Sequence, residues 1–258
     1  LSMQLRKLED LLDLVLFDRT KRPVKVTSEG GKVLEQMQVV LREMERLGRV
    51  AALSDMPAGP YTLGVIPTMS SSVIPLFINT FTASYPAVEL SIIEYKTEDM
   101  IEALHSDAID GGIAAIPLHI PGIRELPLAI EPFVAYLSPD DPLLVRDNID
   151  TSTFAQRDLW LMPEGHCFRD QSLAYCQPNQ RTKPRNVEFE SGHFDTIMSL
   201  VDQGLGATLL PELVAKRVSE TTRARQLLPF SDPEPARSIG FLTSRTALKR
   251  RISDALCN

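Results

Sequence analysis

Tyr61-Thr62-Leu63-Gly64-Val65-Ile66 is an apolar run of strand length, and the stretch from Ser72 to Tyr85 behind it carries Val73, Ile74, Leu76, Phe77, Ile78 and Phe81 over a span long enough for a helix. Val88-Glu89-Leu90-Ser91-Ile92-Ile93 is the next strand and Glu98 to His105 the next helix. Gly111-Gly112-Ile113-Ala114-Ala115-Ile116 is a short buried strand. Strand and helix in strict alternation predict an α/β fold around a parallel sheet. A second set follows: strands at Phe133 to Leu137 and Leu159 to Met162, a helix after Gly165, a strand at Asn186 to Phe189, a helix around Phe194 to Asp202, and a strand at Ala207 to Leu210. Ser238 to Thr243 reads as a strand that returns to the first set. Two such lobes with crossing connections enclose a cleft, a common place for a ligand.

Upstream of the lobes the pattern changes. Met3, Leu5, Leu8, Leu11 and Leu12 recur at helical spacing. Arg19-Thr20-Lys21-Arg22-Pro23-Val24-Lys25-Val26 then places four basic residues around a proline, and the alternating valines predict a hairpin whose basic edge suits a phosphate backbone or simply faces solvent. Thr27 or Ser28 can cap the next helix. Along that helix Val33, Met37, Val40, Met44, Leu47 and Ala51 follow spacings of four, three, four, three and four, the seam of a two-helix coiled coil. Pro57-Ala58-Gly59-Pro60 marks a domain boundary.

The charge is uneven. Residues 1–50 hold ten Lys/Arg against eight Asp/Glu, while the remainder holds seventeen against twenty-six, so the net charge of −7 divides as +2 and −9. A mildly basic arm on an acidic body predicts an anionic partner for the arm alone. Three cysteines and the lack of a long apolar run argue against a disulfide-stapled secreted module or a membrane span. Leu1–Asp10 has no signal-peptide core, so a reducing cytoplasm is the expected compartment.

In such a compartment Cys167 and Cys176 stand out. They bracket Phe168-Arg169-Asp170-Gln171-Ser172-Leu173-Ala174-Tyr175, and in one helix their Cα atoms lie roughly 13–14 Å apart. A disulfide needs about 4.4–6.8 Å. The two thiols can join only if the helix is undone. Gly165 breaks regular structure just ahead, which places Cys167 in a first helical turn where unpaired amides favour a thiolate. His166 and Arg169 add positive charge nearby, opposed in part by Glu164 and Asp170. The spacing leaves two structural cysteines open as the alternative. A zinc site is disfavoured, because the short-spaced ligand pairs are missing.

Leu8-Glu9-Asp10-Leu11-Leu12, Leu16-Phe17-Asp18-Arg19 and Val26-Thr27-Ser28-Glu29-Gly30 resemble the later part of a LysR-type winged helix-turn-helix with its linker helix. Gly64-Val65-Ile66-Pro67-Thr68 and the two lobes resemble that family's effector domain. The stretch from Gly165 to Gln171 with Cys176 beyond it, Gly204-Leu205-Gly206-Ala207-Thr208-Leu209-Leu210-Pro211, and Pro233-Glu234-Pro235-Ala236-Arg237-Ser238-Ile239-Gly240 are similar to the peroxide-sensing branch of the family. The resemblance implies a partial winged helix-turn-helix over 1–28, a dimerising linker helix over 29–56, and a two-lobed, periplasmic-binding-protein-like redox-sensing domain over 60–258. It also implies that the chain starts inside the recognition helix near Ser2 and Gln4.

By that resemblance Cys167 is the peroxidatic thiol and Cys176 the resolving one. Thr68 presents its hydroxyl to the peroxide, or serves as a helix N-cap, and His166, Arg169 and Asp170 set the polarity around the thiolate. Ser2, Gln4, Arg19, Lys21 and Arg22 face DNA. The implied protein is a homotetrameric regulator and not an enzyme. It uses no metal and no cofactor; its partners are DNA, RNA polymerase, hydrogen peroxide and a thiol reductant. Cys257 fits no part of the motif. Two other readings compete: a LysR-type regulator that takes a small organic effector in the cleft, and a thiol peroxidase, which leaves the basic hairpin and heptad helix unexplained.

Overall fold

A computed structural model of the chain describes residues 2–52, 56–176, 192–245 and 247–257. The chain divides into two units, Leu1–Met56 and Pro57–Asn258. In the first, α1 (Ser2–Leu12) leads to a two-stranded antiparallel hairpin, β1 (Phe17–Asp18) and β2 (Lys25–Val26), and then to α2 (Ser28–Ala52). Glu9 ties the unit together: one carboxylate oxygen accepts from the amides of Leu16 and Phe17, and the other pairs with Arg19 at 2.7 Å. Thr27 caps α2, its hydroxyl accepting from the Gly30 amide at 2.8 Å. Gly30 is obligatory there, because a Cβ would lie 2.2 Å from the Leu16 carbonyl oxygen. Along α2 Val33 is half-buried, whereas Met37 and Val40 of the heptad seam are 38% and 51% exposed within their own unit. The side chains of Met44, Leu47 and Ala51 lie outside the described residues.

The second unit opens with β3 (Gly59–Val65), α3 (Pro67–Ser84), β4 (Val88–Glu94), α4 (Thr97–His105) and β5 (Gly111–Ile116). The long β6 (Ile123–Leu137) follows, then a 3-10 turn at Pro142–Val145, α5 (Thr151–Phe154), β7 (Leu159–Trp160) and α6 (Cys167–Cys176). After these come α7 (Phe194–Asp202), β8 (Ala207–Pro211), α8 (Glu212–Ala215), α9 (Glu220–Gln226), β9 (Leu227–Pro229), β10 (Ala236–Ser244) and α10 (Arg250–Cys257). The expected strand at Asn186 to Phe189 lies outside the described residues.

One eight-stranded sheet runs through both lobes in the order β4-β3-β5-β10-β6-β8-β7, with β9 also paired to β6. The expected parallel pairing holds within parts of this sheet, which is mixed as a whole. β3 pairs in parallel with β4 and β5, and β7 with β8, but β10 and β6 are antiparallel to their neighbours. The reason is connectivity: β6 leaves the first lobe and β10 re-enters it, so each runs against the strands it meets. β6 is also far longer than the Phe133–Leu137 segment expected. Its first two-thirds, Ile123–Pro132, contains Pro127 and Pro132, which argue against a strand interior. They are tolerated because this part pairs with β10 alone, and Pro127 faces Gly240 at a break in register.

Each lobe has its own core. Leu63, Val65, Met69, Met100, Leu104 and Phe241 pack in the first; Phe133, Tyr136, Phe154, Trp160, Phe168 and Val201 pack in the second. Each fully buried side chain of this kind stabilises by roughly 1.5–3 kcal/mol.

Candidate functional site

The site forms where β10, β6 and the starts of α3, α4 and α6 meet. Gly165, at φ +83°, makes the left-handed turn that lets α6 begin at Cys167, and Cys176 is the last residue of the same ten-residue helix. Both thiols are free. They belong to different cores: Cys167 packs against the first lobe's cluster, while Cys176, 2% exposed, is inside the second's.

The helix between them is a poor one by composition, with Phe, Asp, Ser and Tyr among its residues. Packing holds it. Phe168 stacks edge-on to Phe133 and Phe194, each at 5.1 Å, and the Tyr175 hydroxyl donates to the Ala236 carbonyl at 2.9 Å. The Gln171 side-chain oxygen is buried without a partner among the described residues, which detracts about 1–3 kcal/mol.

Arg237 projects from β10 into the junction and is 3% exposed. Its Nε donates to Glu131 Oε2 at 2.7 Å, Nη1 to the Thr68 hydroxyl at 3.2 Å and Nη2 to the Thr68 carbonyl at 3.3 Å. Its guanidinium lies 5.6 Å from the centre of the Phe168 ring. Glu131 also accepts from the Leu213 amide at 3.1 Å. Thr97, at the start of α4, is close enough to Cys167 for its side chain to favour the thiolate. A buried cation, two threonine hydroxyls and a half-buried thiol thus converge from four elements.

The electrostatics differ from the expectation. Burial pushes the Cys167 thiol above its ordinary range and outweighs the opposing pull of Thr97, Arg237 and the Phe168 amide, while Asp170 raises it further. His166 supplies no helpful charge, since burial and the nearby Lys96 and His193 lower its pKa. Arg169 turns to the Met162 carbonyl, donating at 3.0 Å. The cation that favours the thiolate is Arg237. Thr68 is buried and inside the junction, but it is not the N-cap of α3; Ile66 holds that position and Pro67 opens the helix. Burial alone pushes Cys176 up to about 12.

Alkylation of Cys167 by a small neutral reagent is therefore expected to accelerate about tenfold per pH unit from pH 7 toward its raised pKa, as the thiolate fraction grows. A rate already flat above pH 7 would contradict the dominance of burial.

Arg237, Glu131 and Thr97 escape the sequence reading. Arg237 stands in the quoted stretch 233–240, immediately before an apolar strand, where a lone arginine is the only hint. Its partner is 106 residues away in sequence, beyond the reach of spacing arguments. In the N-terminal unit Arg19 is engaged by Glu9, Lys21 approaches Asp18 at 3.6 Å and Arg22 is exposed. All three belong to the hairpin turn; the side chains of Ser2 and Gln4 lie outside the described residues. No group of three or more His, Cys, Asp or Glu that could hold a metal ion occurs among the described residues, and no described helix is long and apolar enough to cross a membrane.

Residues 54–256 match the LysR substrate binding domain. The chain belongs to the LysR family of transcriptional regulators, and the mixed sheet with two cores is that family's periplasmic-binding-protein-like effector fold. Within the family it belongs with the hydrogen peroxide-inducible genes activators, the OxyR proteins. It is 35% identical over 255 residues to a probable hydrogen peroxide-inducible genes activator of Mycobacterium leprae, a match covering 98% of this chain and 81% of that one. It is 32% identical over 244 residues to the DNA-binding transcriptional dual regulator OxyR of Escherichia coli K12, covering 94% and 79%. Among solved structures, full-length OxyR of Pseudomonas aeruginosa with a cysteine-to-aspartate substitution superposes with a TM-score of 0.71 at 28% identity, over 99% of this chain and 88% of that one. A hydrogen-peroxide-bound OxyR mutant of Corynebacterium glutamicum gives 0.71 at 29%, over 99% and 81%.

Proposed function

We propose that this chain is a peroxide-sensing, DNA-binding transcriptional regulator switched by a disulfide between Cys167 and Cys176. The observation that carries the reading is the placement of two free thiols at opposite ends of one helix, the first near Thr97 and under the influence of Arg237, which also donates to Thr68. The Cys167 thiolate attacks one peroxide oxygen, the O–O bond breaks, and sulfenic acid forms as hydroxide leaves. Cys176 then attacks the Cys167 sulfur, the S–O bond breaks, and the second oxygen departs as water once protonated. Two thiols lose two electrons and hydrogen peroxide becomes two waters. A thiol reductant reverses the change by exchange.

Arg237 and the two threonine hydroxyls hold the peroxide and stabilise the leaving hydroxide. His166, Arg169 and Asp170 shape the turn around the thiol. The hairpin with Arg19, Lys21 and Arg22, and the start of α1 with Ser2 and Gln4, meet DNA. Residues 1–28 form the DNA-contacting part, 29–56 the linker helix and 60–258 the sensor. RNA polymerase is the downstream partner, and the cytoplasm, where thiols are kept reduced, is the compartment in which the switch can reset.

Thiol titration before and after one equivalent of peroxide tests this. The three free thiols should fall to one, with Cys257 the survivor. Three thiols remaining would instead favour a small organic effector, and sustained peroxide turnover with a reductant would indicate a peroxidase.

Assembly through α2 gives a further expectation. Val40→Glu puts a charge into the apolar face and should weaken self-association at least tenfold by sedimentation, with the helix content of the chain unchanged. An unaltered oligomer would remove α2 as a principal contact.

A further inference from the structure

We propose that the first lobe carries a second, independent binding site for a small amphipathic anion, an aromatic or aliphatic acid whose head is a carboxylate or phosphate. The site is a cavity of about 330 Å³ between the start of β6, the end of β10 and α10, a size within the range of small-molecule pockets. Arg124, Arg245 and Arg250 line it, contributed by three different elements. None of the three has an ion-pair or side-chain hydrogen-bond partner among the described residues. Asp254, which has a partner of its own, lines the same cavity, so the lining holds three arginines and one carboxylate.

This concentration of positive charge stands on a part of the chain that is otherwise strongly acidic. Unpaired arginines held close together repel one another, and an arriving anion removes that repulsion while accepting forked hydrogen bonds. The apolar side of the cavity is Leu126, 40% exposed, and its cross-strand partner on β10, the buried Phe241. A ligand with a charged head and a compact apolar body fits both halves. The site does not depend on the thiol chemistry: Arg245 and Arg237 are eight residues apart along β10 and its end, on the order of 26 Å at strand rise.

The test uses the reduced full chain and titration calorimetry with benzoate, phenyl phosphate, neutral benzamide and inorganic phosphate. Benzoate or phenyl phosphate should bind saturably. Benzamide and inorganic phosphate should bind at least tenfold more weakly, since each satisfies only half of the site. Arg245→Gln and Arg250→Gln should each weaken the organic anion at least tenfold. Arg223→Gln, on α9 in the other lobe, should leave it unchanged. The exposed positions of Arg245 and Arg250 make folding of the variants secure, and their Cys167 alkylation rate should equal that of the parent. No saturable binding of either organic anion, binding indifferent to both substitutions, or inorganic phosphate binding as tightly as phenyl phosphate would each overturn the proposal.

Discussion

Cys176→Ser is expected to leave Cys167 reactive toward peroxide but to halt it at sulfenic acid, with excess peroxide driving it on to sulfinic acid. The sulfenic acid is normally consumed by a second thiol, and Cys176 is the one at the other end of α6. Cys257 packs against the first lobe's cluster from α10, where burial and Asp254 push its thiol up to about 11, so it is a poor substitute. Serine at a buried position also leaves a hydroxyl to satisfy, at about 1–3 kcal/mol. Cys176→Ala avoids this and should show the same oxidation products. Intact mass and peptide mapping after peroxide treatment read the outcome. A Cys167–Cys257 disulfide in the variant, at the parent's rate, would remove Cys176 from the resolving role.

Arg237→Ala should have the largest effect on stability. It strands the Glu131 carboxylate, 3% exposed, with the Leu213 amide as its one remaining partner among the described residues. Removing one member of a buried ion pair typically destabilises by about 3–5 kcal/mol. It also withdraws the cation that favours the Cys167 thiolate, so the thiol should become still harder to ionise and its alkylation at neutral pH slower. Denaturant unfolding under reducing conditions measures the first effect. The double variant Arg237→Met with Glu131→Leu separates the two: it should recover most of the stability, because no charge is left buried, without recovering the reaction rate. A loss of under about 1 kcal/mol in the single variant would show that water reaches Glu131 and that the junction is not sealed.

Much of this arrangement is legible along the chain, and the illegible parts share a physical cause. β3, β4, β5 and their helices read correctly because apolar runs of strand and helix length alternate there. The helix at Cys167 reads correctly because Gly165 marks its start and the apolar positions beyond it are regular. The β10-paired part of β6 escapes because its prolines speak against a strand, and only its open edge, a tertiary property, permits them. α10 escapes because its residues are too few and too polar to declare a helix without the sheet beneath them. The thiol's environment fails for the same reason. Sequence neighbours His166 and Arg169 suggest local charge, but the folded chain directs Arg169 to a carbonyl and brings the operative cation from β10. Helix position alone suggests a lowered thiol pKa, and desolvation reverses the sign. Local pattern determines where the thiols are; long-range packing determines what surrounds them.

Residues 165–176 are expected to adopt two mutually exclusive structures selected by redox state. A continuous helix holds the two Cα atoms roughly 13–14 Å apart, and a disulfide requires less than about half of that. The proposed disulfide also requires Cys176 to leave the second lobe's core, where it is 2% exposed. Hydrogen exchange by mass spectrometry over this segment, comparing reduced chain with chain carrying the verified Cys167–Cys176 disulfide, measures this directly. The amides from Gln171 to Cys176, hydrogen-bonded within α6 in the reduced protein, should lose their protection on oxidation while those of β3 and β5 keep theirs. Unchanged protection of α6 in the disulfide-bonded protein would contradict the switch, because the bond would then have formed without unwinding the helix.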